Sequence, residues 1–285
     1  MYDLSKVVVT SSPHIKAGDD TRSLMLDVLI ALLPALCVAV YTFGWRALVL
    51  TVISMVACAV FETIYNKIVG HPNTVGDLSC FVTGVLIAFN VPVSAPWWMV
   101  VFGALFGTVS LTDAISTATP LASLKNGVLP DATLMDMFLG QTGGVIGETS
   151  ALALIAGGLY LLWRKVITIN IPAAYILTVA VVTFLFPMGD VSRVQWMLYQ
   201  VLSGGLMLGA IFMATDYVTS PVTPRGQIIF GIGCGLLTVF IRYFGGLPEG
   251  VSYSILIMNT LVWAIDKATH PRKFGYALDK KKEAQ

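Results

Sequence analysis

Apolar residues run along this chain in long blocks, not in alternation. A crossing of the bilayer core needs about 20 apolar residues. Blocks near that length stand at 23–43, 46–66, 95–112, 147–163, 170–188, 195–214, 226–243 and 250–266. A shorter block, LSCFVTGVLIAFNVP, spans 78–92. A helix satisfies every backbone group inside such a block. The pattern therefore predicts an all-α integral membrane protein with nine visible crossings. Several blocks are short and interrupted by Gly and Pro, which membranes tolerate where protein or a cavity covers the freed backbone groups. Pro34 sits inside the first block and predicts a kink there.

Composition sharpens this picture. The 285 residues are 56% hydrophobic and 12% charged, against about 25% charged in soluble domains. A net charge of +1 leaves no basic excess for nucleic acid. The first twenty residues are polar and mixed, without the apolar core of a cleaved signal peptide, so the first block is expected to stay in the membrane. Basic residues set orientation. Lys6, Lys16 and Arg22 precede the first block, and Lys267, Arg272, Lys273, Lys280, Lys281 and Lys282 follow the last. Both termini are thus expected in the cytoplasm, as are the turns at Lys67 and at Arg164–Lys165. The predicted division is a cytoplasmic segment 1–22, a membrane domain 23–266 and a basic cytoplasmic tail 267–285. The loop 113–146 carries Asp113, Asp131 and Asp136 against Lys125 alone, and is expected on the outer side.

Within the blocks the candidate chemistry is sparse. APWWMVVFGALFGTV (95–109) is similar to TPRGQIIFGIGCGLLTV (223–239), a weak internal repeat. Duplicated, broken helices frame transport sites, but glycine-rich helices also pack with no other role. Asp27, Glu62 and Arg242 are the few ionisable residues inside blocks; Asp27 and Glu62 lie near cytoplasmic ends, where interfacial placement is expected. Cys37, Cys58, Cys80 and Cys234 are scattered singly, without the spacing of a zinc site or an iron–sulfur cluster. They are expected to be buried packing thiols, with part-ligation of a cluster shared with a partner chain as the alternative. His14, His71 and His270 lie in polar flanks and are expected to be solvated, so no metal site is expected. The turn MATDYVTSPVTPRG (213–226) gathers Asp216, Thr219, Ser220, Thr223 and Arg225. Such a cluster suits a structural turn and equally a flavin ring or a phosphate.

The stretch DAISTATPL (113–121) is harder to place. Its hydroxyls lie in a polar, non-helical run. A threonine hydroxyl is a weak nucleophile without a base, and no His or Cys is close in sequence. The residues alone leave two readings, a turn whose Ser and Thr bond the backbone and an acceptor for a modifying enzyme. For the whole chain they leave a secondary transporter without a redox cofactor, and a non-catalytic membrane scaffold.

Asp113-Ala-Ile-Ser116-Thr117-Ala118-Thr119 resembles the acceptor motif of flavin transferases, Asp-x-x-Ser/Thr-Gly-Ala-Thr, with Thr117 where the motif has Gly. Further stretches, SSPHIKAGDDTRSLMLDVLIALLPAL (11–36), GETSALALIAGGLYLL (147–162), MATDYVTSPVTPRGQIIFGIGCGLLT (213–238) and GGLPEGVSYSILIMN (245–259), occur in an order that resembles one family. It is the NqrB/RnfD family. Its RnfD members are the D subunits of the Rnf ion-translocating ferredoxin:NAD oxidoreductase complex, and its NqrB members belong to the sodium-pumping NADH:quinone reductase. The resemblance is to the RnfD members and spans nearly the whole chain. It implies a membrane electron-transfer subunit of a redox-driven Na⁺ or H⁺ pump in the bacterial inner membrane, acting only with the other Rnf subunits. It implies FMN joined through its phosphate to Thr119 on the outer side, with Asp113 in recognition by the transferase and Ser116, Thr117 and Ala118 presenting the loop. It also implies a second, non-covalent flavin, such as riboflavin, nearer the cytoplasm, for which Asp216, Thr219, Ser220 and Arg225 are candidates alongside their reading as a structural turn.

The count of crossings leaves one discrepancy. Cytoplasmic termini need an even number, about ten, and only nine are visible. Four crossings return the chain to the inside by residue 112, yet the next loop is acidic and carries an outside motif. The repeat breaks at the same point, where FGALFGTV runs straight into SLTDAIS. The six steps from Gly107 to Asp113 reach at most about 22 Å, short of the roughly 30 Å core. A span is therefore expected to be missing there; a re-entrant 78–92 or a tilted short helix would restore parity at eight without repairing the repeat.

Overall fold

A computed structural model describes residues 21–70, 75–106, 120–125, 127, 129–130, 132–140, 144–148, 150–188, 191–246 and 249–269. All regular elements among them are helical. The expected blocks become α1 (Thr21–Phe43), α2 (Trp45–Val69), α3 (Ser79–Phe89), α4 (Trp97–Phe106), α7 (Ala151–Trp163), α8 (Asn170–Leu185), α9 (Arg193–Leu202), α11 (Pro224–Phe244) and α12 (Val251–Thr269). Two short helices, α5 (Pro120–Lys125) and α6 (Leu134–Leu139), lie in the stretch expected as an irregular loop. The three helices α1, α2 and α11 are long and apolar enough to cross a bilayer singly. α1 continues through Pro34, which lies inside it. Gly44, at φ +78°, joins α1 to α2 with one residue; the left-handed conformation that glycine tolerates lets the two long helices form a hairpin.

One apolar block is a broken helix. α9 stops at Leu202, and the chain resumes as α10 (Leu206–Leu208) and a π turn, Gly209–Met213, bent 64° from α9. Gly204, at φ +70°, lies in the break. α10 and the π turn form a spine between two helix groups. Met207, Leu208, Ile211 and Phe212 pack into a core with α1, α2, α3, α4 and α7. Leu206, Ala210 and Ala214 pack into a second core with α8, α11 and α12.

Small residues let the helices touch. A Cβ on Gly84 of α3 would lie 2.7 Å from the Met55 Cα of α2, and one on Gly231 of α11 would lie 2.7 Å from the Ala174 Cβ of α8. Gly157 of α7 lies against the Ala31 carbonyl of α1. Close backbone approach is the usual source of helix association in lipid, where no hydrophobic force separates helix from solvent. The outward faces carry Leu33, Val52, Phe102, Leu177, Leu236, Phe240 and Trp263, all exposed, as a lipid-facing surface requires.

Two polar centres lie inside the bundle. Asp27 of α1, expected at an interface, is buried: it accepts from the Tyr160 hydroxyl at 2.9 Å and from Arg164 Nε at 3.1 Å. The hydroxyls of Tyr175, Thr238 and Ser254 form a closed triangle of 2.6–2.8 Å between α8, α11 and α12. Cys58, Cys80 and Cys234 are buried as expected, whereas Cys37 is exposed on α1. Among the described residues no group of His, Cys, Asp and Glu could hold a metal ion.

Candidate functional site

The polar residues that converge do so at the break of α9. Arg242, near the end of α11, is 3% exposed. Its guanidinium closes the break. One terminal nitrogen donates to the Gln200 carbonyl at 2.6 Å and to Gln200 Oε1 at 3.2 Å; the other donates to the Ser203 carbonyl at 3.2 Å and pairs with Glu249 Oε1 at 3.4 Å. These carbonyls lost their helical partners when α9 stopped, and a buried unpaired carbonyl is costly. Glu249 answers the opposite deficit. Its Oε2 accepts from Gly205 N at 3.2 Å, and its Oε1 accepts from Gly250 N and Val251 N at the start of α12. A side chain on Gly204 would collide with Glu249, so the glycine is needed for space as well as for its positive φ. Glu148, in the 3₁₀ turn Ile146–Glu148, approaches the same break from the other helix group; its Oε1 would lie 3.6 Å from a Cβ on Gly205.

Beside this cluster Leu121, Leu124 and Lys125 of α5 close against Met188, Gln200, Arg242 and Tyr243, with no space left for a water molecule. α5 and α6 are clamped there by their own small core. Leu121, Leu124 and Met137 pack on Trp196 and Tyr199 of α9. Trp196 Nε1 donates to the Tyr243 hydroxyl at 2.9 Å, which donates to the Phe186 carbonyl at 2.8 Å, and the Tyr199 hydroxyl donates to the Ala132 carbonyl at 3.1 Å. α6 starts with a capping box: Thr133 Oγ1 accepts from Asp136 N at 3.2 Å, and Asp136 Oδ2 accepts from Thr133 N at 3.1 Å. These bonds hold the Asp136 carboxyl below its ordinary value of 3.8, the Thr133 hydroxyl contributing most.

The motif residues Asp113, Ser116, Thr117, Ala118 and Thr119 lie outside the described residues. Thr119 immediately precedes Pro120, the first residue of α5. The other candidate cluster is spent on local structure. Thr219 Oγ1 donates to Asp216 Oδ2 at 3.0 Å, Ser220 N donates to the Asp216 carbonyl at 3.1 Å, and Thr223 caps α11 through Gly226 N. Arg225 is exposed. Apart from Arg242, the residues around the break do not stand out in the sequence. One signal exists, a glutamate between two apolar blocks in GGLPEGVSYS, since a charge at membrane depth marks function or a buried partner.

Fold and site together define an α-helical membrane protein built as two helix groups around one broken helix. Comparison is more specific: the chain belongs to the NQR2, RnfD, RnfE family, whose model matches residues 8–111 and 107–275. It is 43% identical to the D subunit of the Na(+)-translocating ferredoxin:NAD(+) oxidoreductase complex of Acetobacterium woodii, over 96% of this chain and 97% of that one. It is 36% identical to the D subunit of the proton-translocating ferredoxin:NAD(+) oxidoreductase complex of Clostridium ljungdahlii, over 94% and 96%. The D subunit of the ion-translocating oxidoreductase complex of Escherichia coli is 30% identical over 94% and 98%. The two matches to the family model meet at 107–111. The alignment to the Acetobacterium protein is 318 positions long yet takes in 96% of 285 residues, about 274, so about 44 of its positions have no counterpart in this chain.

Proposed function

We propose that this chain is the membrane electron-transfer subunit of a redox-driven Na⁺ or H⁺ pump linking ferredoxin and NAD, assembled with the other Rnf subunits and not catalytic alone. Its cofactor is FMN, joined through its phosphate to Thr119. The observation that carries this reading is the acceptor pattern Asp113, Ser116, Ala118, Thr119 in a chain whose relatives are named as the D subunits of such complexes. A flavin brings the ability to accept and pass on electrons; the protein supplies its seat and its surroundings.

Thr119 precedes α5 in the sequence, and Leu121, Leu124 and Lys125 of α5 close on Met188, Gln200, Arg242 and Tyr243, so the described residues leave no room for the ring there. Arg242 Nε, buried there, has no hydrogen-bond partner among the described residues. A second, non-covalent flavin, such as riboflavin, belongs to this reading as an expectation from the resemblance. The candidates for it are Asp216, Thr219, Ser220 and Arg225, in a turn where Thr219 Oγ1 donates to Asp216 Oδ2 and Ser220 N donates to the Asp216 carbonyl.

The topology belongs to the same proposal: a multi-pass protein of the bacterial inner membrane, both termini cytoplasmic, the flavin-bearing loop 113–146 outside. A cysteine at Ser123 should react with a membrane-impermeant thiol reagent from the outer face, and one at the exposed Val222 only in inverted vesicles; the opposite pattern would reverse the orientation. For the cofactor, Thr119→Ala should abolish the flavin-fluorescent band on a denaturing gel, and Thr117→Ala should keep it. A band that survives Thr119→Ala rules out this acceptor. A wild-type chain without any band favours the transporter or scaffold.

The position where the two matches to the family model meet supports a further part of the proposal. The segment expected as missing between Gly107 and Asp113 is present in relatives, and it contributes the tenth crossing there. About 44 residues are enough for one span and its turns, since a span takes about 20.

A further inference from the structure

Four helices, α7, α8, α11 and α12, meet at one end of the bundle. The Tyr217 hydroxyl donates to the Val166 carbonyl, just past α7. Thr168 Oγ1 and Asn170 Nδ2, where α8 starts, both donate to Gln227 Oε1 of α11 at 3.0 Å. Val222 N, just before α11, donates to Asp266 Oδ1 of α12 at 3.2 Å. α11 is long and apolar enough to cross a bilayer, so its first turn lies at headgroup depth. Charges here are separated by depth. Asp27 is buried against Arg164, while Asp216 and Asp266 are half-buried and accept from Thr219 and Val222. Lys165, Arg225 and Lys267 are exposed, and none of them pairs with a carboxylate among the described residues. Exposed apolar side chains adjoin them in the chain: Trp163 precedes Lys165, and Val218 and Val222, 88% and 83% exposed, precede Arg225.

The backbone at Lys165 is a separate signal. α7 ends in a Schellman motif, in which Val166 N donates to the Leu161 carbonyl at 2.9 Å and Lys165 N donates to the Leu162 carbonyl at 3.1 Å. Lys165 takes the left-handed position of that motif, at φ +58°. Glycine is the usual residue there, because a side chain is disfavoured in that conformation. A lysine kept where glycine would fit better points to a role for its side chain. That side chain is exposed, so its partner lies outside the chain.

We propose that this end of the bundle seats an anionic phospholipid. Lys165, Arg225 and Lys267 meet the phosphodiester of its headgroup, and Trp163, Val218 and Val222 lie against the glycerol and first methylenes. Two features favour a lipid over a free anion. Cations on long apolar stems, set among aromatic rings at headgroup depth, suit an anionic leaflet; Lys267 Nζ lies 5.1 Å from the centre of the exposed Trp263 ring. Inorganic phosphate would use the cations and leave Val218 and Val222 in water, whereas a lipid uses both.

The test titrates the detergent-purified, delipidated complex with phosphatidylglycerol, with phosphatidylcholine of the same chains and with inorganic phosphate. Adducts are counted by native mass spectrometry. Wild type should take up phosphatidylglycerol in preference to the other two. Arg225→Gln and Lys165→Gly should each weaken that uptake about fivefold, the effect of one cation near an anionic surface. Lys165→Arg should keep it. Lys165→Gly separates lipid binding from folding, since glycine suits the backbone there and the thermal stability of the delipidated complex should not fall. Unchanged phosphatidylglycerol uptake in Lys165→Gly and Arg225→Gln overturns the proposal, as does equal uptake of phosphatidylcholine or of phosphate by wild type. Loss of another subunit from these variants with lipid uptake intact also overturns it, and assigns the cations to a subunit contact.

Discussion

α4 and α11 begin alike and meet different fates. Aligned from Pro96 and Pro224, they place Phe102 opposite Phe230 and Gly103 opposite Gly231. In both, the glycine faces a neighbouring helix: a Cβ on Gly103 would lie 3.3 Å from Ile87 of α3, and one on Gly231 would lie 2.7 Å from Ala174 of α8. The phenylalanines differ. Phe230 is 1% exposed and Phe102 is 51% exposed. In the second group α12 packs along α11, supplying Val251, Ile255 and Met258 to the core that buries Phe230. Among the described residues α4 has no such companion. The sequence agrees, since the second copy continues as FIRYFGGLPEGVSYSILIMN and the first turns into SLTDAIS. The residues that close the break of α9, Arg242 and Glu249, lie in the continuation that the first copy lacks. One group thus carries the polar cluster, while the first copy ends near 107–111, where the two matches to the family model meet.

The largest effect that would sharpen this contrast comes from the two ion pairs, one in each group. Arg242→Met leaves Glu249 and the orphan carbonyls of the break without their cation. Breaking a buried pair from one side costs about 3–5 kcal/mol. Asp27→Asn in the first group keeps an acceptor for Tyr160 and removes the charge opposite Arg164, whose side chain is already 44% exposed. Solvent screening reduces that loss to about 1 kcal/mol. Thermal inactivation of the purified complex should therefore fall much further for Arg242→Met than for Asp27→Asn; equal losses would break the contrast.

The smallest effect concerns the short helix α6. The Asp136 carboxyl is depressed, so its contribution to α6 is present above the unfolded value and is lost as pH falls through the folded value. Amide exchange protection of 134–139 should hold at neutral pH and decline only once the pH is below the ordinary aspartate value of 3.8. Asp136→Asn should lower that protection at neutral pH and remove the acid-dependent step. A wild-type profile that declines already near neutral pH would contradict the capping geometry.

The helices were legible in the sequence because lipid enforces one rule on every apolar block. All nine appear, including the short 78–92 as α3. Helices α5 and α6 were not legible. Each has six residues, too short for a periodic signal, and they are held by packing on Trp196 and Tyr199. Asp27 was misplaced for a related reason: its partners, Tyr160 and Arg164, lie 133 and 137 residues away, so nothing local marks it as buried. The motif ending at Thr119 was legible as a pattern, but the polar cluster at the break was not: it joins Gln200 and Ser203 of α9 and its end to Arg242 of α11 and to Glu249, and GG alone does not specify the break at Ser203–Gly205.

The most direct test is the intact mass of the purified chain beside its Thr119→Ala variant. The same spectra report the missing segment: a full-length product several kilodaltons above 30.6 kDa would support it, and 30.6 kDa plus one FMN would contradict it. For the flavin on Thr119 the difference between the two masses decides. Wild type should exceed the variant by one phosphate-linked FMN beyond the change in side chain. Masses that differ by the side chain alone would contradict the assignment.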